Sequence, residues 1–534
     1  MTNVARKSLV ANGRGIGKEL PIYVGGKVVG LRIWKNVEGA PLIAIGYNQY
    51  FRDDEPLSWI PSRNSFDLFL RHGYGFSCNN STEKQMENLQ AFHDWLNGVV
   101  WGPPFMVLLI GTGLYLTVRL NGFQFTHFRM AWKNTFSRVF HHEPDVEGGA
   151  ISSFQAVTSA MAATIGVGNI AGVGTAIALG GPGAVFWMWV SALVGMATKF
   201  GEASLGVKFR EIDAEGRVRG GVMYYIEKGL GPKWKWLAIV YALLAALAAL
   251  GIGNMVQANT MSEALEGFGV PVSFTGVGVM LLVGLVILGG IRRIGQTAEK
   301  IVPLMAVLYL LGALVVLVLN ASQIGDAFGA IFYHAFHPAA ATGGFAGSAV
   351  ALTVRFGIAR GIFSNEAGLG AASIVHAQAK NSPVRQGMWG MMEVFVDTIV
   401  VCTMTALVIL VTDAHTLLVD GEGLTGGALA SAAFTRGLPG QGGLIVLVGL
   451  VLFSYTTMLT WCFYGEQSCA YIFGDKVVLP YRIMFIGFLY VGAVGGLETI
   501  WGIADTLNGL MAVPNLVALI ALAGVIVREK NTLR

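Results

Sequence analysis

Two glycine-punctuated stretches interrupt otherwise apolar runs in this chain: Ala162-Ala-Thr-Ile-Gly-Val-Gly-Asn169 and Ser364-Asn-Glu-Ala-Gly-Leu-Gly370. Glycine lets a backbone leave helical geometry. In the first stretch that frees carbonyls to coordinate a cation, and amides at the start of the next half-helix to bind a carboxylate. A zwitterion travelling with a cation needs both. Asn169 adds an amide oxygen, a hard neutral ligand of the kind sodium favours by the oxygen-ligand logic of other hard cations. A packing seam between membrane helices would also be rich in glycine. The second break weighs against that reading, because unwound backbone at membrane depth is tolerated only where it lines a cavity, as in carriers that hold their cargo between broken helices.

Other polar residues fall within the same apolar background. Asn254, Gln257 and Asn259 put amides along one helix. They either face the first break, Gln257 foremost, or bond neighbouring helices at about 0.6 kcal/mol each. Arg355, Arg360, Glu366, Glu393 and Asp397 lie on the second break and the helix after it. A charge exposed to lipid costs about 2.5 to 3.5 kcal/mol, and their numbers allow pairing, which favours gating or structural ion pairs over contact with cargo. Lys199 and Glu202, three apart on one helical face, and Glu466 near the cytoplasmic end suggest an inner gate; snorkelling to the interface is the competing explanation. Lys300 sits about one turn into its span, before Pro303, where its ammonium reaches the cytoplasm more easily than a cation site.

Catalytic patterns are missing. His141 and His142 precede Glu143 without zinc-protease spacing, and no serine or cysteine nucleophile motif occurs. Cys78, Cys402, Cys462 and Cys469 have neither metal-ligand nor disulfide-framework spacing. The expectation is a protein that is not an enzyme and has no cofactor beyond a coupling ion.

The elements that must position these residues are membrane spans. Hydrophobic residues make up 54% of the 534 and charged ones 13%, the composition of a polytopic membrane protein. The net charge of +4 resides in short segments between apolar runs, so it reports orientation, and no basic stripe for nucleic acid is present. About 20 apolar residues cross a bilayer. On that rule spans fall near 96–118, 150–179, 183–208, 236–262, 272–290, 296–319, 345–379, 386–411, 442–471, 482–499 and 503–527. Lys and Arg concentrate at every second loop, at 119–138, 208–235, 292–293, 380–385, 476–482 and 528–534. The first span then starts outside, and the C-terminus is cytoplasmic.

Residues 1–85 are a polar extension that would have to be exported without a signal peptide, so translation is expected to start at Met86, the head of a short lead into span one. Residues 86–149 hold an extra span and an amphipathic stretch, Phe123 to Phe140, lying along the cytoplasmic interface. Five spans follow from the Gly148-Gly start, filling 150–319, and five from the Gly343-Gly start, filling 345–527. An odd number of spans per repeat inverts one half relative to the other. Residues 320–344 connect the halves outside, and 528–534 form a cytoplasmic tail.

Gly166-Val-Gly-Asn169, Gly180-Gly-Pro-Gly-Ala-Val-Phe186 and Glu202 resemble the first two core helices of LeuT-type transporters. Gly168-Asn-Ile-Ala-Gly-Val173, Phe363-Ser-Asn-Glu-Ala-Gly-Leu-Gly370, His376-Ala-Gln-Ala379, Gln386-Gly387, Asp397-Thr398, Trp461 and Tyr464-Gly-Glu466 resemble, more specifically, the alanine or glycine:cation symporter family. The likeness runs from about Met86 to the C-terminus. It implies an all-α polytopic membrane protein of eleven transmembrane helices: a LeuT-type 5+5 inverted repeat plus one extra N-terminal helix. It also implies sodium-driven uptake of alanine or glycine through a bacterial or archaeal plasma membrane.

By that resemblance, the backbone from Thr164 through Gly166 to Gly168 and the Asn169 side chain meet substrate and one sodium ion, and Ala367-Gly368 closes the opposite wall. Ala162 and Ile165 lend carbonyls to a second sodium, with hydroxyls from Ser454, Thr456 and Thr457. Trp461, one turn from Thr457 on a shared face, caps the substrate side chain. The family often has a smaller residue at Thr460. The runner-up reading is a proton-coupled carrier. A channel is disfavoured, because broken helices with paired polar walls suit an occluded site better than a continuous pore.

Overall fold

The computed structural model describes residues 18–24, 27–35, 41–47, 95–136, 149–337, 346–419, 422–495 and 498–533. Cys78, Met86, Phe140, His141, His142, Glu143, Gly148 and the Gly343-Gly start lie outside these. The chain forms two units, residues 1–83 and 84–534. In the first, β1 (Lys18–Val24), β2 (Lys27–Lys35) and β3 (Pro41–Tyr47) make an antiparallel sheet in the order 1-2-3. Val24 pairs with Lys27, and Lys35 with Pro41. This sheet departs from the all-α expectation.

Among its described residues the second unit is helical apart from two short two-residue ladders and one isolated bridge. Eight helices among the described residues are long and apolar enough to cross a membrane, or nine with one bent pair. In order the main elements are α1 (Pro103–Arg119), α2 (Ser153–Thr164), α3 (Val173–Gly180), α4 (Ala184–Lys208), α5 (Lys235–Leu250), α6 (Val256–Glu266), α7 (Val272–Ile287) and α8 (Gly290–Leu319). There follow α9 (Ala346–Asn365), α10 (Ala372–His376), α11 (Pro383–Val394), α12 (Thr403–Val411), α13 (Gly442–Phe473), α14 (Val478–Val494) and α15 (Glu498–Ala521). The expected amphipathic stretch is two short helices, Phe123–Thr126 and Phe128–Asn134, with Phe123 and Ala131 buried.

Helix α2 starts on a capping box. Ser152 Oγ accepts from the Gln155 amide at 3.1 Å, and Gln155 Oε1 accepts from the Ser152 amide at 3.2 Å, so two otherwise orphaned donors are satisfied where the chain enters the bundle. The helix stops at Thr164. After Ile165-Gly-Val167 the chain resumes as a wide π-type turn, Gly168–Gly172, leading into α3, and the two halves are bent by 47°. Similar wide turns occupy Gly251–Met255, between α5 and α6, and Phe395–Cys402, between α11 and α12. Such turns often occur at functional sites.

The second break lies between α9 and α10. Glu366, Gly368 and Gly370 all have positive φ, at 55°, 98° and 81°, so three of the five residues from Glu366 to Gly370 leave right-handed helical geometry. The two breaks meet: a methyl group on Gly168 would sit 3.0 Å from Ser364 Cα, so any larger residue there would have to push the second break back. Helix α4 packs along both α9 and α11, and α13 crosses α2, α5 and α8. At one end of the bundle the start of α2 and the end of the second break are joined directly. Ile151 and Ala379 form a parallel bridge, and the Lys380 amide donates to the Ile151 carbonyl at 2.9 Å.

Candidate functional site

Between the two breaks lies a narrow cavity of about 20 Å³, room for an ordered water. Thr164, Gly166 and Gly168 line it from the first break, Glu366 from the second, Gln257 from α6, and Thr457 with Trp461 from α13. Trp461 is 2% exposed and donates its indole N–H to Glu366 Oε1 at 3.1 Å. Gln257 is aimed inward because its Nε2 donates to the Ile252 carbonyl, 3.0 Å away in the π-type turn. Asn254 and Asn259, on other faces, donate to the carbonyls of Phe485 and Gly495.

Gly253 brings that turn against the tryptophan. A methyl there would lie 2.2 Å from Trp461 Cβ. Gly253→Ala is therefore expected to cost about 1–3 kcal/mol through overpacking and to weaken binding in the cavity. Apparent melting temperature and equilibrium binding on purified protein check this; an unchanged melt would show that the contact relaxes freely.

Several residues expected at the site lie elsewhere. Asn169 is fully buried but turned away from the cavity. Its Oδ1 accepts from the Gly166 amide at 2.8 Å, while its Nδ2 donates to Asp397 Oδ1 at 2.7 Å and to the Asp397 carbonyl at 3.1 Å. Asp397 also accepts from Ser364 Oγ at 2.9 Å and Thr398 Oγ1 at 2.7 Å, so one carboxylate staples the first break to the second. Ala367 and Gly368 do not line the cavity either. The Gly368 amide donates to Glu202 Oε1 at 2.9 Å and its carbonyl accepts from Asn515 at 2.8 Å, and Ala367 abuts Gly195 of α4.

Among the hydroxyls, Thr457 Oγ1 lies 3.0 Å from the Ala162 carbonyl, and Ser454 Oγ, one turn away, is buried without a hydrogen-bond partner. Ile165 is buried at the end of α2. Thr456 points to the opposite face, toward Met305, with its hydroxyl returned to the Leu452 and Phe453 carbonyls. Thr460 donates to the Ser159 carbonyl at 2.9 Å and does not line the cavity.

The charged residues are rearranged as well. Lys199 forms no ion pair with Glu202. It bridges Glu393 at 3.2 Å, both side chains fully buried, and donates to the Asn365 carbonyl at 3.0 Å. The partner lies on the packed helix α11 rather than one turn along α4. Glu393 continues to His376 at 2.9 Å and His376 to Gln386 at 2.7 Å. Because Gln386 Oε1 accepts from Asn381, its amide N–H₂ faces His376 Nδ1. The ring therefore presents Nε2–H to Glu393. Glu466 pairs with Arg482 through both oxygens, at 2.5 and 2.8 Å. Glu366, expected in a gate, faces the cavity instead. Arg355 lies over the Phe356 ring, and Lys300 is exposed.

A second cavity of about 510 Å³ adjoins the first, sharing Val167 and Phe363 with it. These two side chains form the partition. Arg360 stacks over Phe363, 5.5 Å from the ring centre, and Glu263 stands in the same cavity wall. At the end of the bundle that carries the Ile151–Ala379 bridge, where Gln378 donates to the Val218 carbonyl at 3.0 Å, Arg219 pairs with Asp475 and donates to Gln467 at 2.7 Å, Arg217 also reaches Asp475, and Tyr471 donates to Glu227 at 2.5 Å. This latch, together with Asn508, Asn515 and Ile252 around the cavity and break, was not anticipated. The amides in the last apolar run were the available signal.

A polar cavity enclosed by broken apolar helices is the plan of a membrane transporter. Residues 86–533 match the sodium:alanine symporter family, and the chain belongs to it. The sodium/alanine symporter AgcS of Methanococcus maripaludis is 48% identical over 440 residues, covering 81% of this chain and 95% of that protein. The probable sodium/glutamine symporter GlnT of Bacillus subtilis is 37% identical over 433 residues, covering 80% and 88%. Among solved structures, MhsT in complex with L-phenylalanine superposes with a TM-score of 0.51 at 12% identity, over 73% of this chain and 99% of that one. That likeness establishes the helical fold, of the LeuT type.

Proposed function

We propose that this chain couples inward sodium movement to uptake of a small neutral amino acid, alanine or glycine, across a bacterial or archaeal plasma membrane by alternating access. The observation that carries this reading is the cavity where Thr164, Gly166 and Gly168 of one break face Glu366 of the other, with Thr457 beside the Ala162 carbonyl. In this reading the carboxylate of the cargo meets the amides of the first break. The carbonyls of Ala162 and Ile165 and the hydroxyls of Ser454 and Thr457 hold sodium. The bulk of Trp461 and Phe363 around so narrow a space favours small side chains, and kinship to a protein named for sodium and alanine supports the same cargo.

Eleven crossings follow if α7 and the α9–α10 pair join the eight long helices and the bent α2–α3 pair, as a 5+5 inverted repeat behind one extra helix requires. Loop charge then puts the C-terminus inside, so the larger cavity with Arg360 opens outward and the Arg219–Asp475 latch closes the cytoplasmic side.

One observation favours the proton-coupled alternative: Glu366 is a buried carboxylate with no ion pair among the described residues. Flux of labelled alanine into proteoliposomes under separate sodium and proton gradients discriminates. A sodium gradient alone should drive saturable accumulation; equal accumulation without sodium would remove the sodium reading, and uptake without saturation would indicate a channel.

A further inference from the structure

Three buried oxygens around the small cavity lack a donor. Glu366 uses Oε1 for the Trp461 indole, and its Oε2 has no hydrogen-bond partner. Gln257 commits its Nε2 to Ile252 and leaves Oε1 bare, and Asn508 Oδ1 is bare as well. All three side chains line the same space and are at most 4% exposed. The unpartnered polar side-chain atoms here are all acceptors. What completes them must bring donors or positive charge.

The second break is shaped to deliver one of these oxygens. Glu366 stands at φ 55°, a left-handed conformation unusual for a residue with a side chain, and it is held there by its amide on the Ile362 carbonyl and by the Leu369 amide on its own carbonyl. Strain of this kind persists where the surroundings over-determine it, and it clusters at ligand clamps. Among the described residues no cation pairs with the carboxylate, and Lys199 is committed to Glu393 and the Asn365 carbonyl.

We propose that Glu366, with Gln257 and Asn508, forms the receptor for the ammonium group of the cargo and selects α-amino acids over carboxylates that lack an amine. This rests on the reading that the cavity carries a small amino acid. A primary ammonium has three N–H donors for three acceptors, and the charge-assisted bond to Glu366 is the strongest of them. The zwitterion then lies across the cavity, ammonium on this wall and carboxylate on the first break, 200 residues of chain apart but facing one another.

The test is competition against labelled alanine, in sodium, on the full-length protein in proteoliposomes, by unlabelled alanine and by lactate. Lactate keeps the carboxylate and methyl group and replaces the ammonium with a hydroxyl. Glu366→Gln should weaken alanine by about tenfold or more while leaving lactate within about threefold, so the preference for alanine shrinks about tenfold. A preference unchanged within about twofold overturns the proposal, even if both ligands bind more weakly, since a merely structural role moves both together. A shift in sodium dependence with the preference intact also overturns it and assigns Glu366 to the metal ion. If Glu366→Gln does not insert, Gln257→Leu and Asn508→Leu should each shrink the preference about threefold; no change in either is the overturning result. Failure of the wild type to bind alanine would instead refute the functional reading, and the ammonium receptor with it.

Discussion

Lys199→Met should lower the stability of the protein by about 3–5 kcal/mol, because it strands the buried Glu393 carboxylate without its ammonium partner, held by the His376 ring alone. Both side chains are fully buried, and the ammonium also satisfies the Asn365 carbonyl at the edge of the second break. The double variant Lys199→Met with Glu393→Gln should recover part of the loss. Replacing a whole buried pair is close to neutral, whereas removing one member is not, although the Asn365 carbonyl stays bare. The check is a double-mutant cycle on thermal unfolding of detergent-purified protein, with an expected coupling of about 1–3 kcal/mol. A double variant no more stable than Lys199→Met would show that the two residues act independently.

Asn169→Ala should reduce stability and cargo affinity together. It leaves the Gly166 amide bare and takes two donated bonds from Asp397, at about 1–3 kcal/mol for each buried group left unsatisfied. The affinity loss arises indirectly: the side chain does not reach the cavity, but Gly166, which it pins, lines it. A variant with an unchanged melt and abolished sodium-dependent binding would contradict this and return Asn169 to direct contact with the ion or cargo. Asn169→Asp should be worse than alanine, since it sets a second carboxylate about a hydrogen-bond length from Asp397 Oδ1.

The apolar runs and their interruptions were legible because hydropathy and glycine act locally. The breaks at Gly166 and Gly368 needed no knowledge of what lay opposite. Side-chain direction was a different matter. Asn169 and Asp397 are 228 positions apart, and nothing near Asn169 in the chain indicates that its amide turns from the cavity to a carboxylate on another helix. Lys199 had an acidic neighbour at helical spacing, yet close packing of α4 on α11 supplies a better partner in Glu393. Glu366 illustrates the converse. Its motif was readable, but the reversal of its backbone, which aims the carboxylate at the cavity, depends on Gly368, Gly370 and their neighbours jointly. Thr457 needed no such help, since a residue one turn from Trp461 on a regular helix must share its face.

The parallel bridge between Ile151 and Ala379, reinforced by the Ala150 and Ile151 amides on the Gln378 carbonyl, welds the root of the first interrupted helix to the tail of the second. A displacement of either segment at this point therefore pulls on the other. The unwound glycines, not this weld, are where each interrupted helix has freedom to bend.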